Sequence, residues 1–136
     1  MTPETSTAPF SWSARARSFL FAARGLRVLI SSQHNARLHF TATLAVVAAG
    51  AGFRLTPLSW AAITAAIGLV WVAETMNTAI ERLGDAITRE VHPAIRDAKD
   101  LAAAAVLVAS AAAVAIGLLV FVPHVFAMFV RLGGAA

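Results

Sequence analysis

The sequence contains no cysteine, which excludes disulfide bonds and thiolate metal sites. Charged residues are scarce as well, at 13% of the 136 residues, whereas hydrophobic residues make up 59%. The mean hydropathy of +0.74 is typical of an integral membrane protein, and no polar stretch is long enough to form a soluble core of its own. The composition therefore predicts a single domain embedded in a membrane.

The N-terminal residues lack the apolar core that a signal peptide needs. We predict a disordered tail over residues 1–11 and a single membrane domain over residues 12–136. From Trp12 to about Arg37, apolar side chains recur at helical spacing and arginines occupy the neighbouring sector. This pattern is typical of an amphipathic helix in the membrane interface, with its arginines toward anionic headgroups.

Three apolar segments follow, and each is predicted to span the membrane, although the first is shorter than the ~20 residues that a bilayer crossing needs. Thr56 and Pro57 are a typical helix start, because a hydroxyl cap precedes a proline at the first helical position. The second helix is expected to continue through Glu81, and Pro123 is expected to end the third. The predicted spans are residues 38–54, 57–74 and 101–122.

Basic residues are concentrated in two parts of the chain. Nine of the 11 arginine and lysine residues precede the first span or lie between the second and the third, and only Arg54 and Arg131 lie elsewhere. Because basic loops tend to stay on the cytoplasmic side of a membrane, this distribution predicts a cytoplasmic N-terminus and a cytoplasmic second connection.

The densest group of acids lies at the end of the second span. At about 100° per residue, three carboxylates and an amide fall within an arc of roughly 80° on one helix face. Carboxylates this close repel each other unless a cation lies between them, and a divalent metal is the usual cation in an oxygen-rich site. A solvated face is the alternative, but ionisable groups at the end of a spanning helix are costly and tend to be functional. The four residues are Glu74, Asn77, Glu81 and Asp85.

Three motifs in this region carry a resemblance. Residues 74–81 read E-T-M-N-T-A-I-E, residues 98–100 read A-K-D, and residues 35–39 read N-A-R-L-H. They resemble the E-x-x-N-[ST]-A-I-E, A-K-D and N-x-R-I-H motifs of the prokaryotic diacylglycerol kinase family, and the similarity extends over roughly residues 17–122. The resemblance implies an all-α membrane protein with an N-terminal interfacial helix and three transmembrane helices, assembled as a homotrimer in the cytoplasmic membrane of a bacterium.

The same resemblance implies an ATP-dependent lipid kinase that uses Mg²⁺. It implies a catalytic pair, Glu74 as general base and Asn77, and a metal-binding carboxylate at Glu81. Gln33 occupies the position of the family's second metal-binding glutamate, where it offers a neutral oxygen instead of a charged one. The residues implied in nucleotide binding are Glu81, Asp85, Glu90, Val91, His92, Lys99 and Asp100.

Some of these assignments have alternatives. His92 is otherwise a surface histidine, and Lys99 a lysine that extends to the membrane interface. Diacylglycerol is the expected acceptor, giving phosphatidic acid, but undecaprenol also presents a primary alcohol beside a long apolar chain. A non-catalytic membrane protein derived from the family is a further alternative, which Gln33 supports. The expected partners are ATP, the membrane lipid and other copies of the chain, without nucleic acid.

Overall fold

The computed structural model describes residues 11–133, and this part of the chain is all-helical, without a strand, which confirms the all-α class. The tail predicted over residues 1–11 lies, apart from Ser11, outside the described residues. The helices are α1 (Trp12–Ser32), α2 (His34–Gly52), α3 (Pro57–Ile87) and α4 (Pro93–Gly133).

A single extended residue, Gln33, separates α1 from α2. The prediction of one continuous helix to about Arg37 is therefore wrong at this position. Arg37 stabilises the break, because its Nε donates to the carbonyl of Ile30 at 3.1 Å and its Nη2 to the carbonyl of Ser31 at 2.6 Å. The last carbonyls of a helix lack partners within it, so a side chain of α2 satisfies the end of α1.

The start of α3 is as predicted. Thr56 is its cap, with Oγ1 accepting from the backbone N–H of Ser59 at 3.2 Å, and Pro57 stands in the first turn. The helix has 31 residues and continues through Glu81 to Ile87. At about 1.5 Å per residue it is roughly 46 Å long, which is more than the thickness of a bilayer core.

α4 does not end at Pro123. It has 41 residues and continues through this proline to Gly133, so the predicted end of the third helix is wrong. A proline inside a helix removes one backbone hydrogen bond, a loss that membrane helices tolerate when neighbouring groups compensate. In the same turn, Nδ1 of His124 lies 2.7 Å from the carbonyl oxygen of Val120, and the His124 ring packs against Phe53 at a centroid distance of 5.9 Å.

The most extensive helix packing is between α3 and α4, which the short loop of residues 88–92 joins. Gly84 allows their close approach, because a Cβ atom there would lie 2.9 Å from Cγ2 of Ile95 and 2.9 Å from Cε of Lys99. Further along the pair, small buried residues such as Ala66 and Ala109 let the backbones pack tightly.

Two of the helices fit a membrane protein. Within the described residues, the segments Pro57–Ile87 and Pro93–Arg131 are long and apolar enough to cross a membrane. Many of their large side chains are exposed, including Leu58 at 81% and Leu119 at 77%, as expected for side chains that face lipid. α2 does not reach the same hydropathy, so a crossing by α2 stays a prediction.

The close approach at Gly84 gives a test of the fold. Gly84→Leu should lower the free energy of unfolding by about 1–3 kcal/mol, because the larger side chain cannot fit between α3 and α4. Gly68→Leu is the matched control, since a Cβ at Gly68 meets nothing within 4 Å. Unfolding in detergent micelles, followed by circular dichroism, measures both. Equal stability of the two variants would contradict the described packing.

Candidate active site

Glu74 is buried in α3, with 2% of its surface exposed. Its ionisable neighbour is His39 of α2, whose Nε2 lies 4.0 Å from Oε2 of Glu74. This distance is too long for a hydrogen bond, and Oε2 is buried without a hydrogen-bond partner. Burying an unpartnered carboxylate oxygen is costly, so this atom marks a position where a further group would fit.

Glu81, two turns along α3, is held by two amides. Nδ2 of Asn77 donates to Oε1 at 3.0 Å, and Nε2 of Gln33 donates to Oε2 in a long contact of 3.5 Å. Gln33 reaches Glu81 from the break between α1 and α2, although 48 positions separate the two in sequence. The structure thus places the break between α1 and α2 beside the acidic face of α3.

The donor set suits a hard cation. Carboxylate and amide oxygens are the ligands that Mg²⁺ prefers, and Oδ1 of Asn77 is buried without a partner beside Glu81. The two ends of a primary amide have nearly the same shape, so a rotation of Gln33 would turn its oxygen toward Glu81. Residues 11–133 hold no cluster of three or more histidine, aspartate or glutamate side chains that could bind a metal. Glu81, with the Gln33 amide rotated, would offer a carboxylate and one amide oxygen to such a cation.

A second pair of assigned residues meets where α3 ends. Lys99 of α4 forms an ion pair with Asp85, one turn beyond Glu81 on α3. The side chains are 33% and 69% exposed, and ion pairs this exposed contribute little to stability. A contribution to stability therefore does not explain why Lys99 and Asp85 lie together.

The remaining assigned residues are not joined to this face. Residues 90–92, in the loop before α4, are exposed, and within residues 11–133 no hydrogen bond or ion pair joins their side chains to the acidic residues. Asp100 is also exposed. Their assignment to nucleotide binding stays a prediction.

Two further residues, His39 and Thr78, have no role assigned from the sequence. Thr78 follows Asn77 and has a buried hydroxyl without a partner. His39 belongs to the N-A-R-L-H segment, which was the one signal in the sequence that it lies near the acidic face.

An apolar cavity of about 340 Å³ lies between α2, α3 and α4. Its lining includes His39, Val70, Ser110 and Phe121. His39 is the only ionisable residue in this lining, which otherwise consists of apolar and hydroxyl side chains. A cavity of this kind suits a hydrocarbon chain whose polar end lies beside the histidine.

Comparison with known proteins identifies similar sequences. A model of the family described as prokaryotic diacylglycerol kinase matches residues 20–121. The chain is 38% identical over 107 residues to the undecaprenol kinase of Bacillus subtilis (strain 168), which covers 79% of this chain and 87% of the relative. It is 32% identical over 114 residues to the diacylglycerol kinase of Synechocystis sp. (strain ATCC 27184 / PCC 6803 / Kazusa), which covers 83% of this chain and 65% of the relative. The matched region includes the whole candidate site, from Gln33 to Asp100.

The environments of Glu74 and Glu81 predict opposite effects of one substitution on stability. Glu74→Gln should raise the free energy of unfolding by about 1–3 kcal/mol, because a neutral amide is less costly to bury than a carboxylate with an unpartnered oxygen. Glu81→Gln should lower it, because its new amide group would face the amide N–H groups of Asn77 and Gln33. Unfolding in detergent without metal measures both, and a change of the same sign in the two variants would contradict this description.

Proposed function

The chain belongs to the prokaryotic diacylglycerol kinase family, and from this we propose that it transfers the γ-phosphoryl group of ATP to the hydroxyl of a membrane lipid at the site around Glu74 and Glu81. The observation that carries the proposal is the buried Glu74 carboxylate, whose neighbour His39 lines an apolar cavity. A base near the end of a cavity suited to a hydrocarbon chain supports an amphiphilic alcohol as acceptor.

Glu74 is the proposed general base. Its carboxylate accepts the proton of the lipid hydroxyl, whose oxygen uses a lone pair to form the new bond to the γ-phosphorus. The bond from that phosphorus to the bridging oxygen breaks, and ADP leaves with the electron pair. Burial suits this role, because electrostatic interactions are stronger where water is excluded.

Glu81 is the proposed ligand of Mg²⁺, together with the amide oxygen of Gln33, and Asn77 is proposed to act beside Glu74 in catalysis. When bound, Mg²⁺ would neutralise negative charge on the phosphates. The chain itself orients the carboxylate, since Asn77 holds one oxygen of Glu81 and Gln33 approaches the other.

Lys99 is the proposed cation for the nucleotide phosphates. As the only lysine in the chain, it stands one turn of α3 beyond Glu81 through its pairing with Asp85. Gly84 supports this placement, because a larger residue there would displace the lysine side chain. Residues 90–92 and Asp100 are proposed to contact the nucleotide from the adjacent loop and first turns of α4.

Diacylglycerol is the first acceptor to test, since the family carries its name. Undecaprenol is the second candidate, and the comparisons favour it in one respect. The undecaprenol kinase is more similar to the chain than the diacylglycerol kinase, at 38% against 32% identity, and a larger share of it is covered, 87% against 65%. Both lipids present a primary hydroxyl beside long apolar chains.

We also propose a homotrimer whose sites are completed between neighbouring chains and face the cytoplasm. The bias of basic residues toward the N-terminal helix and the second connection supports this orientation. A second, open groove of about 460 Å³ between α3 and α4 supports assembly, because alanines at positions 104, 105 and 112 would let another helix approach closely.

A transfer assay tests the proposed activity. Purified protein with labelled ATP and Mg²⁺ should label diacylglycerol or undecaprenol, and Glu81→Gln should lower turnover by at least about 100-fold, the size of a lost electrostatic contact of roughly 3 kcal/mol. Asp97→Asn is the control, since Asp97 is an exposed acid that pairs with Arg96 and has no assigned role. Absence of transfer to either lipid would favour the non-catalytic alternative, and near-normal turnover of Glu81→Gln at saturating Mg²⁺ would refute its role.

The metal assignment of Gln33 has a test of its own. Gln33→Glu should tighten binding of Mg²⁺, or of Mn²⁺ measured directly by electron paramagnetic resonance, because hard cations favour charged oxygen ligands. His34→Glu adds the same charge at the adjacent, exposed position and should leave binding unchanged. Superimposable titrations of the Gln33→Glu variant and the unchanged protein would mean that position 33 does not contact the metal.

A further inference from the structure

His39 stands between the buried carboxylate and the apolar cavity. Its Nε2 lies 4.0 Å from Oε2 of Glu74, and it lines the cavity together with Val70 and Ser110. Its side chain is 23% exposed. Among the residues of the cavity lining, His39 alone carries a ring N–H that can point toward Glu74.

The backbone around His39 is fixed from both sides. Thr43, one turn later on α2, donates from Oγ1 to the carbonyl of His39 at 2.7 Å and accepts from Nε1 of Trp71 at 3.1 Å. One turn earlier, Ala36 is completely buried. This packing fixes the register of α2 against α3, so the distance between His39 and Glu74 depends on the side-chain torsions of these two residues.

A second partly buried histidine, His124, has contacts that are typical of a structural role. His124 has a ring nitrogen 2.7 Å from the carbonyl of Val120 and packs against the ring of Phe53. The ring of His39 makes no hydrogen bond within residues 11–133, and the Glu74 oxygen that it faces has no partner either. A contraction of about 1 Å would join these two groups in a hydrogen bond of ordinary length.

On the basis of the proposed function, we propose that His39 is a positioning residue, whose Nε2–H holds Oε2 of Glu74 so that the other carboxylate oxygen faces the hydroxyl of a lipid lodged in the cavity. A neutral histidine carries one N–H, and donating it to a carboxylate fixes both the ring and the acid. The proton of the hydroxyl still passes to Glu74, so His39 exchanges no proton with the substrate. Its ring also forms the polar end of an otherwise apolar wall.

The test uses substitutions that separate the two ring nitrogens. In His39→Gln the amide nitrogen stands near the place of Nε2, whereas in His39→Asn it stands near the place of Nδ1. His39→Leu keeps much of the volume and removes the donor. The full-length protein is assayed in lipid-containing micelles for kcat, for the KM of ATP and of the lipid alcohol, and for lipid retention by native mass spectrometry without ATP.

We expect His39→Leu and His39→Asn to lower kcat by about 10- to 100-fold, the size of a hydrogen bond to a charged group. His39→Gln should stay within a few-fold of the unchanged protein. Lipid retention and the KM of ATP should change little in all three variants, because the cavity and the nucleotide contacts remain. His34→Leu, the same change at an exposed histidine of α2, should behave as the unchanged protein.

Three outcomes would overturn the proposal. These are an unchanged kcat in both His39→Leu and His39→Asn, an equal loss in His39→Gln and His39→Asn, or loss of lipid retention with kcat preserved at saturating lipid. The last outcome would make His39 a wall of the cavity only. Failure of the unchanged protein to phosphorylate any lipid alcohol would instead refute the proposed function, so the two failures are distinguishable.

Discussion

The burial of one carboxylate in an apolar helix is the constraint on which the rest of the site depends. Glu74 lies in the same helix as the buried residues Ile63, Ala66 and Val70, and it is as well shielded as they are. A charge in such a place is stabilised only by groups brought to it from elsewhere. α2 brings His39, and the elbow before α2 brings Gln33 to the neighbouring Glu81. The N-terminal half of the chain therefore contributes one residue beside each of the two glutamates on the acidic face of α3.

Two arginine side chains stabilise the elbow, which is the break between α1 and α2 at Gln33. Arg37 occupies the exposed carbonyls at the end of α1, and Arg82 of α3 donates to Oγ of Ser32 at 2.8 Å. Two guanidinium groups thus hold the end of α1 in place, one from each neighbouring helix. Because Gln33 is the next residue, any movement of α1 also moves the amide that contacts Glu81. The arginine-rich helix therefore ends directly beside the residue that contacts Glu81.

The sequence predicted what depends on local periodicity and caps. The helical class, the start of α3 at Thr56 and Pro57, and the shared face of Asn77 and Glu81 all follow from spacing along one helix. The break at Gln33 could not be predicted, because no glycine or proline marks it and its stabilisation comes from Arg37, four positions later. His39 was missed for a related reason, since its distance from Glu74 depends on the register between α2 and α3. The prediction that α4 ends at Pro123 was wrong because it applied a rule for soluble helices. The hydrogen bond that proline removes usually ends a helix in water, whereas membrane helices tolerate its loss.

The amide of Gln33 can interact with Glu81 in two ways. In the structure, Gln33 approaches Glu81 through its N–H group and so supplies a partner for the carboxylate. On the metal assignment proposed above, the amide rotates and offers its oxygen once a cation binds Glu81. A glutamate could do only the second, because an ionised carboxylate accepts hydrogen bonds and repels a second carboxylate nearby. On the proposed metal assignment, glutamine at position 33 would bind a cation less tightly than glutamate, but it gives Glu81 a hydrogen-bond donor that glutamate could not supply.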